Sequence, residues 1–469
     1  MWSPTLRFFL PNPDLKRQGV AYELPSTCGA GAPRVGVRRR KRRSNAPHAP
    51  MRDLRTIGVL ASSTLVKALA GLATAKILAT TMSIGQFGQL SQLMALVAFA
   101  GMFAAGGISS GVTRVIASSK GTLLERDWLT VIAKLYLWTS VAIGMALVLS
   151  CGPLSTLIFK SSDFRWAICL LGVTQAIVGF GSIYQAYASA YANYTVILGA
   201  NFAGAVAGTA LLLLFAHNHN YRSAAVGLVL VPAMPGLFLL ATRLSNLIKN
   251  VEIRGRALDV PKAGHLLSFS IAALAGAASI TLGQMGTRDL VGHAVGWGAV
   301  GYWQATIRIS DVYMQFVSVF LLSYAMPKLA GLDEGAVHRG FISIQKTLLA
   351  LYLTGGLFIW LIRNQLYKIL YSADFVAASH LLLPQLAGDL FRVVAAGIST
   401  LFMARGIVRV SITYESLQGV LLFTGTALLV SRYGGNAPVY AYGIGYMILG
   451  ISMMIIYYMQ FGTSRPAAT

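Results

Sequence analysis

Apolar segments of about 20 residues recur along almost the whole chain. They lie at 56–80, 88–112, 128–151, 166–189, 193–216, 223–244, 266–287, 299–326, 340–362, 379–403, 409–431 and 438–460. As helices rising ~1.5 Å per residue, each can cross a ~30 Å hydrocarbon layer. Lipid offers no partner to exposed backbone amides, so only helices and closed barrels span it. Barrel strands are short and alternate in polarity, whereas these runs are continuous. The sequence therefore predicts an all-α polytopic membrane protein with twelve transmembrane helices. Its charged fraction of 11% is less than half the ~25% of a soluble domain.

The longest internal connection, residues 243–264, divides the segments six and six. That division predicts two pseudo-symmetric lobes around a central cavity, over 51–244 and 265–469, joined by a cytoplasmic linker at 245–264. Support from an internal repeat is slight: "GVTRVIAS" closes the second segment and "AMPKLAG" the eighth. "GAVAG" at 204–208 is a G-x-x-x-G spacing, read as a close helix–helix contact.

A net charge of +23 invites a nucleic-acid reading, but its placement argues against one. Residues 1–50 hold ten Lys or Arg against Asp14 and Glu23. They include the run "RRRKRR" at 38–43, a candidate patch for anionic lipid. This extension has no apolar core of a signal peptide and reads as a solvated tail. Met51, just before the first segment, is the expected start of the native product. Most of the remaining charge lies between segments, where Lys and Arg set orientation. With the N-terminus inside, fifteen cations beyond the tail fall on the cytoplasmic side. Seven fall opposite: Lys160, Arg165, Arg222, Arg288, Arg363, Lys368 and Arg432. Both termini are thus expected in the cytoplasm.

Cys28, Cys151 and Cys169 form no C-x-x-C pair, so no metal or redox framework is expected. Cys151 and Cys169 read as small buried hydrophobes. "GWGAVG" at 296–301 has the spacing of a dinucleotide loop but no preceding strand, so it reads as a loop entering the eighth segment. No Walker A sequence occurs, and Asp333 and Glu334 make no convincing acid–base pair. The expectation is a protein without catalytic chemistry, cofactor or nucleic-acid partner. A glycosyltransferase or polymerase would need an extramembrane catalytic loop larger than 243–264.

What remains is charge at membrane depth. Lys67 sits in the middle of "GVLASSTLVKALAGLATAKIL", at a cost of roughly 3 kcal/mol on insertion scales. Ser63, Thr64, Gly71 and Thr74 share its face, so that face is polar and turned inward. Lys76, on the opposite face near the helix end, is expected to snorkel to the interface. The eighth segment carries Gln304, Arg308, Asp311, Gln315 and Ser318 on one helical stripe. The tenth carries Gln385, Asp389, Arg392 and Ser399 on another. Two readings stand for each stripe: an internal ion pair that lowers the cost of helix packing, or the wall of a wet cavity. Lys134, Lys346 and Glu415 lie about two turns inside their segments and join the candidates. Five deep cations against three deep anions leave a positive surplus that suits an anionic cargo such as a diphosphate.

The stretches "ASSTLVKALAGLATAKIL", "GISSGVTRVIA", "YWQATIRISDVYMQFVSVFLLSYAMPKLAGL" and "QLAGDLFRVVAAGISTLFMARGIVRVSITYESLQ" resemble the Wzx-type polysaccharide flippases, the lipid III flippases and O-antigen translocases among them. These belong to the multidrug/oligosaccharidyl-lipid/polysaccharide exporter superfamily. The resemblance runs from about residue 52 to the end. It implies a MATE-like fold and alternating access in the bacterial inner membrane. It implies an undecaprenyl-diphosphate-linked oligosaccharide as cargo for surface polysaccharide synthesis. It further implies possible coupling to a proton or sodium gradient, and a polysaccharide polymerase and chain-length regulator as partner proteins. Lys67, Asp311 and Asp389 fall on charged positions of the family pattern. Arg392 stands where Lys is common, and with Lys67 it is expected to receive the diphosphate while Asp311 and Asp389 balance charge or bind coupling protons; Arg308 stands where a small polar residue is usual. The rival readings are a multidrug or cation exporter, whose cargo would favour a negative cavity, and a lipid II flippase, which usually has two more helices.

Overall fold

Helix follows helix from Pro50 to Phe461, and among the described residues there is no strand. The computed structural model describes residues 50–105, 107–217, 220–248 and 260–461. The basic extension with "RRRKRR" and Cys28, and most of the 245–264 linker, lie outside the described residues.

In chain order the helices are α1 (Pro50–Thr81), α2 (Ile84–Phe103), α3 (Ser109–Ser119), α4 (Leu123–Leu149), α5 (Cys151–Phe159), α6 (Arg165–Ala190), α7 (Tyr194–Ala216), α8 (Tyr221–Leu230) and α9 (Met234–Ile248). They continue with α10 (Val260–Ala294), α11 (Trp297–Phe320), α12 (Met326–Ala330), α13 (Glu334–Leu361), α14 (Arg363–Leu370), α15 (Leu382–Ala404), α16 (Val408–Tyr433) and α17 (Ala437–Phe461). Each of the twelve expected segments falls on one of these helices or on a consecutive pair.

Nine stretches among the described residues are long and apolar enough to cross a membrane. Helix α2 is not among them, since it carries Gln86, Gln89 and Gln92. Helices α16 and α17 count as one stretch, Val408–Phe461. Trp138, Leu149, Leu214 and Leu428 are more than two-thirds exposed, as lipid-facing side chains are. The molecule is an all-α, multi-pass membrane protein.

Local chemistry sets the breaks. Ser83 Oγ accepts from the Gln86 amide at 3.3 Å while the Gln86 side chain accepts from the Ser83 amide at 3.0 Å, a reciprocal cap that starts α2. Gly107, at φ +67°, lies in the break between α2 and α3. A short 3-10 turn, Val231–Ala233, joins α8 to α9 around Pro232. Helix α11 passes through a π turn, Leu321–Ala325, before Pro327 in α12.

Small residues bring the helices together. A β-carbon on Gly144 of α4 would lie 2.7 Å from Gly172 O of α6. One on Gly419 of α16 would lie 1.8 Å from Ser279 O of α10. In "GAVAG", Gly204 receives Pro235 and Gly208 receives Val231, so this spacing packs α7 against the α8–α9 turn.

The glycines of "GWGAVG" also serve packing, and the stretch is not the loop expected. Only Gly296, at φ +117°, lies in the turn; α11 begins at Trp297. A β-carbon on Gly301 would lie 2.4 Å from Ile84 O, and one on Gly88 would lie 2.2 Å from Trp297 O. Helices α2 and α11 therefore meet backbone to backbone. Beside this contact Phe87 packs edge-on against Tyr371 and Phe375. Lys76 joins the same seam: its Nζ donates to Tyr371 O at 2.6 Å. The expected snorkelling of Lys76 is thus replaced by a bond to the second half of the chain, because Tyr371 O lies within its reach.

Candidate functional site

A cavity of about 610 Å³ opens between the two halves of the sequence, walled by α1, α2, α6, α7, the α8–α9 turn region, α10 and α11. Lys67 lines it from α1, with Gly71 and Thr74 one and two turns further along the same face. Helix α1 is held in this rotation by Asn201 of α7, whose Nδ2 donates to Ser63 Oγ at 2.8 Å. The opposite side of α1 shows Leu65 and Leu69 to the surroundings. Lys67 is exposed to the cavity and has no ion pair among the described residues.

Helix α11 supplies Gln304, Arg308 and Asp311 to the same cavity. Arg308 comes up against α1 where Gly71 leaves room: a β-carbon there would sit 4.0 Å from Arg308 Cζ. Arg308 and Asp311 are half-buried, and no ion pair closes between them. Of the two i,i+3 pairs read from the sequence, only Asp389–Arg392 forms, at 3.8 Å.

The fourth charge of the cavity is Arg288 of α10. From sequence Arg288 is expected in an outer loop, because Arg288 and Asp289 follow the apolar run. Instead α10 continues to Ala294, and Arg288 is only 3% exposed. Its Nε and Nη2 donate to Gln304 Oε1 at 3.1 and 2.7 Å, and its guanidinium lies 5.5 Å from the Trp303 ring centre. Its Nη1 is buried without a hydrogen-bond partner. A sequence signal existed: Gln284–Arg288 and Gln304–Arg308 are both i,i+4 pairs flanking one tight turn. Three cations and one carboxylate thus line the cavity.

Asp389 does not reach this space. It is fully buried, accepting from Ser310 Oγ at 2.6 Å, from Tyr442 OH at 2.5 Å and from Tyr313 OH. Arg392 donates to Tyr442 OH at 3.1 Å and lies against the Tyr446 ring. It lines a separate chamber of about 30 Å³ in the second half of the chain, which Asp311 and Gln284 also line. Asp311 and Gln284 therefore stand in the wall between cavity and chamber. Lys134 on α4, Lys346 on α13 and Glu415 on α16 line neither space, and Glu415 packs against Gly276 of α10. Cys151 and Cys169 are both free thiols. No cluster of metal-ligating side chains occurs among the described residues.

The sequence of residues 77–380 matches a family described as polysaccharide biosynthesis proteins. The chain is 25% identical over 390 residues to the lipid III flippases of Escherichia coli strain K12 and Shigella flexneri, covering 83% of this chain and 94% of theirs. In fold it is similar to an inward-facing multidrug resistance MATE family transporter of the MOP superfamily, with TM-score 0.67, 13% identity, and 86% and 96% of the two chains covered. It is equally similar to the lipid II flippase MurJ in an inward closed conformation, with TM-score 0.67, 12% identity, and 86% and 87% covered. Those likenesses fix a MATE-like fold, and the sequence match over residues 77–380 fixes the family. The chain belongs to the polysaccharide biosynthesis protein family.

Proposed function

We propose that this chain is a flippase that moves an undecaprenyl-diphosphate-linked oligosaccharide across the bacterial inner membrane for surface polysaccharide synthesis. One observation carries the reading: Lys67, Arg288 and Arg308 converge on one cavity against the single carboxylate of Asp311. Cations without bound anions are costly at membrane depth, and a diphosphate compensates them as they compensate it. A cationic drug would meet net repulsion there, so the geometry favours the anionic cargo over a multidrug exporter. The lipid III flippases among its relatives support the same reading.

Lys67 and Arg308 receive the diphosphate, and Arg288 adds a third charge beside them. Gln185, Asn201 and Thr281 offer hydrogen bonds to sugars in the same cavity. The prenyl tail stays in lipid. Both termini lie in the cytoplasm, and the cation bias for that orientation sharpens once Arg288 leaves the outer count. Coupling to a proton or sodium gradient, and assembly with a polymerase and chain-length regulator, complete the proposal. Catalysis has no part in it.

The test is a complementation series in a flippase-deficient strain, scored by exported glycan and membrane abundance. Lys67→Ala abolishes export at normal abundance, and Lys67→Arg keeps part of it. Adding Asp311→Asn, Asp389→Asn or Glu415→Gln to Lys67→Ala restores nothing. Rescue by any of these charge-free doubles would make Lys67 a structural partner and overturn the cargo-binding role.

A further inference from the structure

A second cavity, of about 480 Å³, lies away from the cargo cavity, beside the turn that joins α16 to α17. Its walls are apolar: Ala387 and Phe391 from α15, and Gly443, Ile444 and Met447 from α17. None of its lining residues lines the cargo cavity. Ile444 and Met447 are exposed, so the groove faces hydrocarbon rather than protein. Its rim is aromatic. Tyr433 and Tyr440 meet edge-on with ring centres 5.1 Å apart. Tyrosines of this kind mark the level of the lipid headgroups.

Arg432 stands at that rim. It is exposed, its guanidinium carbon lies 5.7 Å from the Tyr433 ring centre, and it has no ion pair among the described residues. The arrangement is a steadied cation at headgroup level above an apolar slot at acyl depth. An anionic lipid satisfies both parts at once. A zwitterionic lipid brings its own cation to the headgroup and gains less from Arg432.

We propose that this groove binds an anionic phospholipid, with its phosphate on Arg432 and an acyl chain along Ala387, Phe391 and Gly443. The site is distinct from the cargo cavity and does not depend on what the cargo is. Its occupant is a resident lipid of the bilayer, held at the α16–α17 turn.

The experiment uses the purified full chain, stripped in mild detergent and offered equal phosphatidylglycerol and phosphatidylcholine, with bound lipid read by native mass spectrometry. The wild type retains phosphatidylglycerol preferentially. Arg432→Gln lowers that preference about fivefold, the weight of one arginine at a charged surface. Ala387→Phe, at an exposed position that tolerates bulk, lowers retention of both lipids by occupying the slot. Equal retention of the two lipids by the wild type, or an unchanged preference in Arg432→Gln, would overturn the site. Displacement of phosphatidylglycerol by undecaprenyl phosphate at equal concentration would overturn the assignment to a resident lipid.

Discussion

Gly71 on α1 faces Arg308 on α11 so closely that a β-carbon would lie 4.0 Å from the guanidinium carbon. This is ordinary contact for a methyl group, and a longer, branched side chain would compete with the guanidinium for the same part of the cavity. Gly71→Ala is expected to transport like the wild type. Gly71→Leu pushes Arg308 off α1 and away from the turn above Lys67, and export should fall at least about tenfold, the effect of ~1.4 kcal/mol. Exported glycan at matched membrane abundance is the measurement. Wild-type export in the leucine variant would mean that the position of Arg308 does not matter to transport.

Arg288 offers a separation of folding from function. Its fork gives two bonds to one oxygen of Gln304, which a lysine's point charge cannot copy. Arg288→Lys should lower stability by roughly 1–3 kcal/mol, since Gln304 loses its partner. The double variant Arg288→Met, Gln304→Leu removes both polar partners and should melt near the wild type. It should nevertheless fail to export glycan. Thermal melting followed by size-exclusion chromatography, paired with the export assay, checks both halves, and full export by the stable double variant would reduce Arg288 to a packing residue.

Asp389 is expected to act through stability. Three hydroxyl groups and Arg392 point at a carboxylate with no exposure. Asp389→Ala leaves these donors unpaired and should cost about 3–5 kcal/mol. Membrane abundance should drop accordingly. Removing Arg392 as well, by Arg392→Met, should recover part of it. Normal abundance of Asp389→Ala would contradict the structural role.

Outside the membrane, Asp163 ties the α5–α6 loop to the start of α8. Tyr221 OH donates to one carboxylate oxygen, and Arg222 Nη2 lies 2.5 Å from the other. The Tyr221 hydrogen bond, with Ser161 and Arg222 assisting, holds this carboxyl below its usual range. A depressed folded-state pKa gives stability that is fully present above the unfolded value of about 3.9 and is lost as pH falls through the folded value. Melting temperature in detergent should therefore decline below about pH 4 in the wild type. Asp163→Asn should lie lower at pH 7 and flatten that decline. Parallel curves for the two proteins would show that the clasp does not contribute.

Lys67 was legible from sequence because a charge amid apolar residues is conspicuous, and its small polar face told which way it turned. Arg288 was not, because a charge at the edge of an apolar run looks like the start of a loop. The deciding partner, Gln304, lies on the next helix, where helix periodicity alone cannot place it. Asp389 and Arg392 share a stripe in sequence and pair in the structure, but neither reaches the cargo cavity, since the hydroxyls that claim Asp389 come from α11 and α17. The helices themselves were readable from apolar length, whereas the glycine contacts of α2 with α11 depend on tertiary packing. The likeness of "GWGAVG" to a loop arose from glycines that serve that contact.

The bond from Lys76 to Tyr371 O carries one more consequence. Its acceptor is main chain, so no side-chain substitution at position 371 deletes it; only the lysine can. A carrier that parts its halves at this seam must give the bond up on every cycle. In such a carrier Lys76 would act as a counterweight on a conformational balance, holding this seam together by a charge-assisted bond worth about 1.5–3 kcal/mol. Shortening or neutralising it would leave the cargo cavity untouched and change how long the protein rests with this end shut.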